Sequence, residues 1–283
     1  MVSAPGLSFG SGNPNTAGLD GVTVPAALAR SWGPRGVRPV WRNLLGGLTF
    51  AVGGERPEVY VKWAPTGVAL GYEAEARRLE WAAPFTPVPE VLELGADEDG
   101  SWLVLKAVDA SSAVSGRWLA EPRTAVRAIG EGLASFHDAM PAHACPFGWE
   151  AEGRVAQAHQ AARGERERPA GEAGKSWWQP RHRHLGVDEA LRLVEQPPPV
   201  ELRVVCHGDP CAPNTLIGED GRWVAHVDMA RMGTADRWAD IAVATWSCDW
   251  NYGPGWQAEL LAAYGVAPDE ERMAYYRLLW DLT

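Results

Sequence analysis

A two-lobed α+β protein, with a small β-rich N-terminal lobe and a larger helical C-terminal lobe, is the fold class this sequence predicts. Three observations carry that expectation. The chain has 283 residues, 46% of them apolar, which is enough for two lobes around one cleft. Short β-rich runs bounded by glycine and proline fill its first third. From Pro122 onward, apolar residues recur at helical spacing. The boundaries follow: residues 1–105 form the first lobe, with 1–40 as a tail whose order the sequence leaves open, 106–109 a connector, and 110–283 the helical lobe.

Met1 to Gly21 is rich in Gly, Ser, Pro and Asn, which suits a loosely packed tail. It has no positive region leading into an apolar stretch, so no signal peptide is expected and the expected location is cytoplasmic. Leu44-Leu45-Gly46-Gly47-Leu48-Thr49-Phe50 sets two glycines between apolar runs, a hairpin whose backbone can approach phosphates. Val59-Tyr60-Val61-Lys62-Trp63 reads as a strand between prolines. Tyr72 to Ala83 reads as a helix, with Leu79 and Ala83 on one face and Ala76 and Glu80 on another. Trp102-Leu103-Val104-Leu105 is a further strand, and Lys106 to Asp109 is the connector.

Pro122 starts a helix in which Val126, Ile129, Leu133 and Phe136 make a core face. Arg163 to Lys175 is a charged, glycine-containing loop, either a substrate lid or a surface excursion. Trp223 to Val227 reads as a short strand, Asp236 to Trp250 as a helix, and Pro268 to Trp280 as the last helix. Trp177, Trp178, Trp246, Trp250, Tyr252 and Trp256 are of a kind that can stack on sugars. In a chain with fifteen tryptophans, core packing is the expectation for most.

Charge narrows the partners. The net charge is −10, and residues 201–283 carry −7 of it, with 6 basic against 13 acidic side chains. An acidic segment draws a cationic small molecule and repels nucleic acid. No run approaches the ~20 apolar residues of a membrane helix. Cys145, Cys206, Cys211 and Cys248 lack Cys-x-x-Cys spacing, so buried free thiols are expected and a zinc site is not.

One segment states a chemistry: Cys206-His207-Gly208-Asp209-Pro210-Cys211-Ala212-Pro213-Asn214, with Val227-Asp228 fourteen residues later. Asp209 and Asn214 stand five apart, the spacing of a kinase catalytic loop, in which the Asp accepts a hydroxyl proton and the Asn holds Mg²⁺. Asp228, closing an apolar run, can supply a second oxygen ligand to that hard ion. Such chemistry also needs a strand lysine for the nucleotide phosphates and a helix carboxylate to hold it. Lys62 is one of only three lysines, and it sits inside an apolar strand. Glu75 is its expected partner. Glu73 is the competitor, roughly 200° around the same helix.

These residues together resemble the aminoglycoside O-phosphotransferases, small-molecule kinases with a protein-kinase-like fold. The likeness runs from about Trp41 to the C-terminus. It includes Val61-Lys62, Glu75 to Trp81, Cys145-Pro146-Phe147, the catalytic loop, Val227 to Asp240, and Arg272 to Leu279. The Asp209–Asn214 loop and Gly233-Thr234-Ala235-Asp236-Arg237 are most similar to streptomycin 3''-phosphotransferases, with kanamycin and neomycin 3'-phosphotransferases close behind. Met229-Ala230-Arg231 departs from the usual Leu-Gly-Arg.

The resemblance implies transfer of the γ-phosphoryl of ATP, with GTP left open, to a hydroxyl of a cationic antibiotic. Streptomycin at its 3''-hydroxyl is the first expectation. Kanamycin or neomycin at the 3' position, or another cationic molecule such as a cyclic-peptide antibiotic, is the alternative. Asp209 would then be the base or orienter and Asn214 and Asp228 the Mg²⁺ ligands. Lys62 and Glu75, with Gly46 and Gly47, would serve the phosphates, and the Lys106 and Val108 backbones the adenine. Arg231 would serve substrate or loop structure, Asp240 would brace the loop, and His207 would stabilise it.

Overall fold

Chain order begins with α1 (Ala26–Trp32), β1 (Val37–Arg42), β2 (Leu48–Val52), β3 (Val59–Pro65) and α2 (Tyr72–Ala82). It continues with β4 (Val91–Ala96), β5 (Gly100–Lys106), β6 (Ser111–Ser112), α3 (Gly116–Ala120) and α4 (Pro122–Ala139). Then come α5 (Ala151–Ala162), α6 (Val187–Val194), β7 (Arg203–Cys206), β8 (Thr215–Ile217) and β9 (Trp223–His226). Last are β10 (Gly233–Asp236), α7 (Trp238–Tyr252), α8 (Gln257–Tyr264) and α9 (Glu270–Leu282). These elements come from a computed structural model that describes residues 19, 21–43, 45–68, 70–164 and 178–283.

The chain divides into two compact units. The first runs through Glu121 and also takes in Thr215–Ala230; the second is Pro122–Asn214 with Arg231–Thr283. The division differs from a single break near residue 106, for a hydrogen-bonding reason. β8 pairs with both β6 and β9, so the hairpin after Asn214 clusters with the sheet unit.

In the first unit a five-stranded antiparallel sheet has the order β1-β2-β3-β5-β4. β3 lies between β2 and β5, and its β-branched Val59 and Val61 face a core with Phe50, Val52, Val104 and Leu28. Part of the segment expected as a tail therefore has structure. Pro25 precedes α1, Leu28 from that helix is buried, and β1 pairs with β2. A seven-residue helix with one buried apolar side chain leaves almost no periodic signal, which is why the sequence reading missed it. Residues 1–18 and 20, Leu44, and most of the charged loop, 165–175, lie outside the described residues, as does Trp177.

The second unit is mainly helical. Val126, Ile129, Leu133 and Phe136 of α4 are all buried, as the 3-4-3 spacing requires. The two-stranded β7–β10 ladder pairs Cys206 with Gly233 and Arg203 with Asp236. Asp236 is thus the last residue of a strand and not the first of a helix. Its carboxylate accepts from the Trp238 and Glu201 N–H groups, so it caps α7 from outside. At the other end α9 starts at Glu270, with Asp269 accepting from the Arg272 N–H. Among the described tryptophans only Trp118, Trp178 and Trp238 are buried; the others are half-buried, the usual state of a large ring with one polar atom. All four cysteines are free; Cys206 and Cys248 are buried, whereas Cys145 and Cys211 are half-buried.

Candidate active site

In the first unit, the strand alternation that buries Val59 and Val61 turns Lys62 to the other face of the sheet. Helix α2 starts after Gly71, which adopts the left-handed conformation, and sets Glu75 in its first turn. Glu75 is 1% exposed, and its two oxygens lie 2.6 and 2.9 Å from Lys62 Nζ. The Met229 N–H also donates to it. Glu73 instead faces solvent and pairs with Arg77, one turn along the helix.

Lys62 has a second carboxylate partner, Asp228 Oδ1 at 3.0 Å. Asp228 has φ 68°, and no other non-glycine among the described residues has a positive φ. Aspartate tolerates that conformation better than most side chains, and strain of this sort collects at functional positions. Burial alone would lower the Lys62 pKa, but Asp228 and then Glu75 outweigh it and hold the ammonium well above its ordinary value. Burial lifts the Glu75 carboxyl, and Lys62 opposes that lift. With both carboxylates ionised, two acids share one ammonium, and the trio carries one uncompensated negative charge.

The second unit holds the loop that follows β7, and this loop is fixed through its backbone. The His207 and Gly208 N–H groups donate to Asp240 Oδ2 and Oδ1 at 2.5 and 3.0 Å. His137 Nε2 meets Asp240 Oδ2 at 3.0 Å, while His137 Nδ1 meets Tyr264 Oη at 2.7 Å. Asp240 is fully buried, which would raise its pKa; the His137 hydrogen bond and the other donors override that and lower it. Gly208 has φ 82°, and a Cβ there would stand 2.3 Å from the Arg231 carbonyl oxygen, so no other residue fits.

Beyond Gly208, the Asp209 N–H donates to His207 Nδ1 at 3.1 Å. Burial, and next the Asp209 carboxylate beside it, push the Cys211 thiol pKa well up. Asn214 ends a short 3-10 turn, Ala212–Asn214, and its Nδ2 donates to the Asp209 carbonyl at 2.9 Å. The Ala212 N–H donates to Ser247 Oγ on α7 at 2.9 Å. Sequence reasoning missed His137 and Ser247. Each lies on the buried side of its helix and gives no signal until the fold shows what it meets.

The remaining expected residues are also placed. Asn43 Oδ1 accepts from the Leu45 and Gly47 N–H groups and closes the β1–β2 turn. Gly46 has φ 90°, and a Cβ on Gly47 would lie 2.1 Å from Leu70 Cδ1. Lys106 ends β5; its N–H donates to the Glu90 carbonyl, its ammonium pairs with Glu90, and the Val108 carbonyl accepts from Ala110. Arg231 lies over the Trp149 and Trp280 rings at 5.7 and 5.2 Å, which occupies its guanidinium with packing.

A helix-anchored lysine–glutamate pair, with an aspartate on the same ammonium, and a backbone-braced His-Gly-Asp loop are the parts of a kinase-type phosphotransferase. Residues 42–276 match the phosphotransferase enzyme family, and the chain belongs to it. Within that family it is an aminoglycoside O-phosphotransferase, an ATP-dependent kinase acting on an alcohol group.

The chain is 34% identical to the aminoglycoside 3'-phosphotransferase of Streptomyces fradiae, over 79% of this chain and 85% of that one. It is 31% identical to the streptomycin 3''-kinase of Streptomyces griseus, over 79% and 84%. Two solved structures have similar folds. The aminoglycoside phosphotransferase APH(3'')-Id of Streptomyces rimosus aligns with TM-score 0.73 at 26% identity, covering 90% of this chain and 95% of that one. It has also been solved in complex with ADP and streptomycin. The aminoglycoside-3'-phosphotransferase of type VIII aligns with TM-score 0.72 at 32% identity, covering 88% and 94%. The kinase-like, two-lobed α+β class is thereby established. Among the described residues no helix is long and apolar enough to cross a membrane.

Proposed function

We propose that the chain inactivates a cationic aminoglycoside in the bacterial cytoplasm by moving the γ-phosphoryl of ATP onto one of its hydroxyls. The observation that carries this reading is the Lys62–Glu75 ion pair, buried and doubly hydrogen-bonded, with Asp228 on the same ammonium. Lys62 binds nucleotide phosphates, and Glu75 aims it. Gly46 and Gly47 let the β1–β2 turn approach those phosphates. The Lys106 carbonyl and the Val108 N–H, whose sister groups are engaged elsewhere, meet the adenine edge.

Asp209 orients the acceptor hydroxyl and takes its proton as the new O–P bond forms and the bond to the ADP leaving oxygen breaks. Positioning and charge neutralisation supply most of the rate. The residues fit Mg²⁺. The Asn214 amide nitrogen is engaged with Asp209, which leaves the amide oxygen as the group to offer, and the Asp228 carboxylate is 48% exposed. Both are hard oxygen donors. When bound, the ion neutralises charge on the phosphates.

For the acceptor we favour the 3'-hydroxyl of a kanamycin- or neomycin-type aminoglycoside. The identities of 34% and 33% to 3'-phosphotransferases, and 32% to the solved type VIII enzyme, support it. Streptomycin at its 3''-hydroxyl, the first expectation from the loop sequences, is the second reading. The 31% identity to a streptomycin 3''-kinase and the TM-score of 0.73 to APH(3'')-Id favour that one. The test is kcat/KM for kanamycin and streptomycin at one ATP concentration, with the phosphate located by NMR. Kanamycin carrying a 3'-phosphate is expected. Turnover of streptomycin with none of kanamycin would reverse the order and leave the kinase standing.

A further inference from the structure

Ala212 opens the 3-10 turn that ends in Asn214, and it is 1% exposed. The first N–H groups of such a turn have no partner within it, and a buried N–H left unbonded is costly. The bond that satisfies the Ala212 N–H comes from outside its own loop. Ser247, 2% exposed on α7, accepts it at 2.9 Å. The Asn251 amide, one helical turn further, donates to Ser247 Oγ at 3.2 Å and to the Ser247 carbonyl at 2.8 Å, which steadies the hydroxyl.

Asp240 and Ser247 are seven residues apart on α7, two turns, and so share one helix face. That face grips the catalytic loop twice: Asp240 takes the N–H groups of His207 and Gly208 at its entry, and Ser247 that of Ala212 at its exit. Asp209 and Asn214 lie on either side of the exit grip, and the Asn214 amide is tied back to the Asp209 carbonyl. Ala212 and Asn214 are the two ends of one three-residue turn, so a shift at the Ala212 peptide is carried to the residue that bears the amide.

We propose that Ser247 is a positioning residue for metal binding: by capping Ala212 from another helix, it sets the direction in which Asn214 presents its amide oxygen. The inference rests on Asn214 being a metal ligand. The experiment measures Mn²⁺ binding to the protein–ADP complex by electron paramagnetic resonance, with no turnover involved, alongside the thermal midpoint and NMR hydrogen exchange at the Ala212 amide. Ser247→Ala should weaken Mn²⁺ about tenfold, the scale on which groups orienting a ligand act, and should expose the Ala212 amide to exchange. Ser247→Thr, which keeps the hydroxyl, should restore both. Ser247→Cys, a poorer acceptor of similar shape, should fall between and serves if the alanine variant does not fold.

Thr245→Val is the control. Thr245 is also fully buried on α7, but it bonds to its own helix and to Arg277. It should lower the thermal midpoint and leave Mn²⁺ affinity alone. An equal Mn²⁺ shift in Thr245→Val, or less than a twofold shift in both Ser247→Ala and Ser247→Cys, overturns the proposal. Asn214→Ala separates the two layers. If it weakens Mn²⁺ and the Ser247 variants do not, only the positioning role fails; if it has no effect, the ligand assignment beneath it fails.

Discussion

Lys62 in the first unit is held by charge, and the Asp209 loop in the second is held by its backbone. Around Lys62 the contacts of the ammonium join ionised side chains, and two carboxylates compete for it. Around Asp209 the contacts run from N–H groups to Asp240, His207 and Ser247, while the reacting carboxylate lies beside the Cys211 thiol. The first arrangement can change partners when phosphates arrive, because its charges are unbalanced. The second can only stay put or break. A phosphoryl-transfer site needs both behaviours: an adaptable grip on a highly charged nucleotide, and a fixed base.

The sharpest test of this contrast is Asp209→Asn. Since the backbone grips of Asp240 and Ser247 do not use the Asp209 carboxylate, and an amide is close to it in shape, folding and nucleotide affinity should stay near wild type. Turnover should fall about 10²–10⁴-fold, the scale for losing a general base. Steady-state kcat beside a nucleotide-binding isotherm reads both. A variant retaining more than about a tenth of kcat would remove Asp209 from the chemistry.

Lys62→Ala should behave in the opposite way and lose folding and binding together. It strands Glu75, a buried carboxylate, at a cost of about 3–5 kcal/mol. Denaturant unfolding and ATP affinity should both weaken. A stability change below about 1 kcal/mol would show that the pair is not the strut the geometry suggests.

Asp240→Asn should have the smallest effect and a distinctive pH signature. The Asp240 pKa is lower in the folded protein than its ordinary ~3.9. Its contribution is therefore fully present above that ordinary value and is lost as pH falls through the lower folded one. The substitution should cost about 1–3 kcal/mol at pH 7, and the gap to wild type should close below about pH 4. A gap independent of pH would mean that the loop is held by shape and not by the carboxylate.

Some of this was legible in the sequence and some was not. The α4 core face could be read because four large apolar side chains repeat at the helical period, and β3 because β-branched residues alternate around a single lysine. The loop was legible because Asp209, Asn214 and Asp228 keep a spacing that the chemistry requires. What is carried between helices was hidden. His137 and Ser247 look like ordinary helical polar residues, and only packing brings them to Asp240 and Ala212. The strand character of Asp236 was hidden as well, since it comes from pairing with Arg203.

The assignment of Thr215–Ala230 to the first unit has a consequence for how the protein is made. Asp228 follows Lys62 by 166 residues, and β8 and β9, which complete the small sheet begun by β6, come almost as late. At about 5–20 residues per second, a ribosome needs on the order of ten to thirty seconds to bridge that gap. Throughout it the nascent chain can pair Lys62 with Glu75 alone, and Ser111–Ser112 has no neighbouring strand. Release of Pro122–Asn214 precedes completion of the unit that stands before it in sequence. Vectorial synthesis thus delivers the last carboxylate of the charge cluster 166 residues after its ammonium, and premature termination anywhere before residue 228 yields a chain without it.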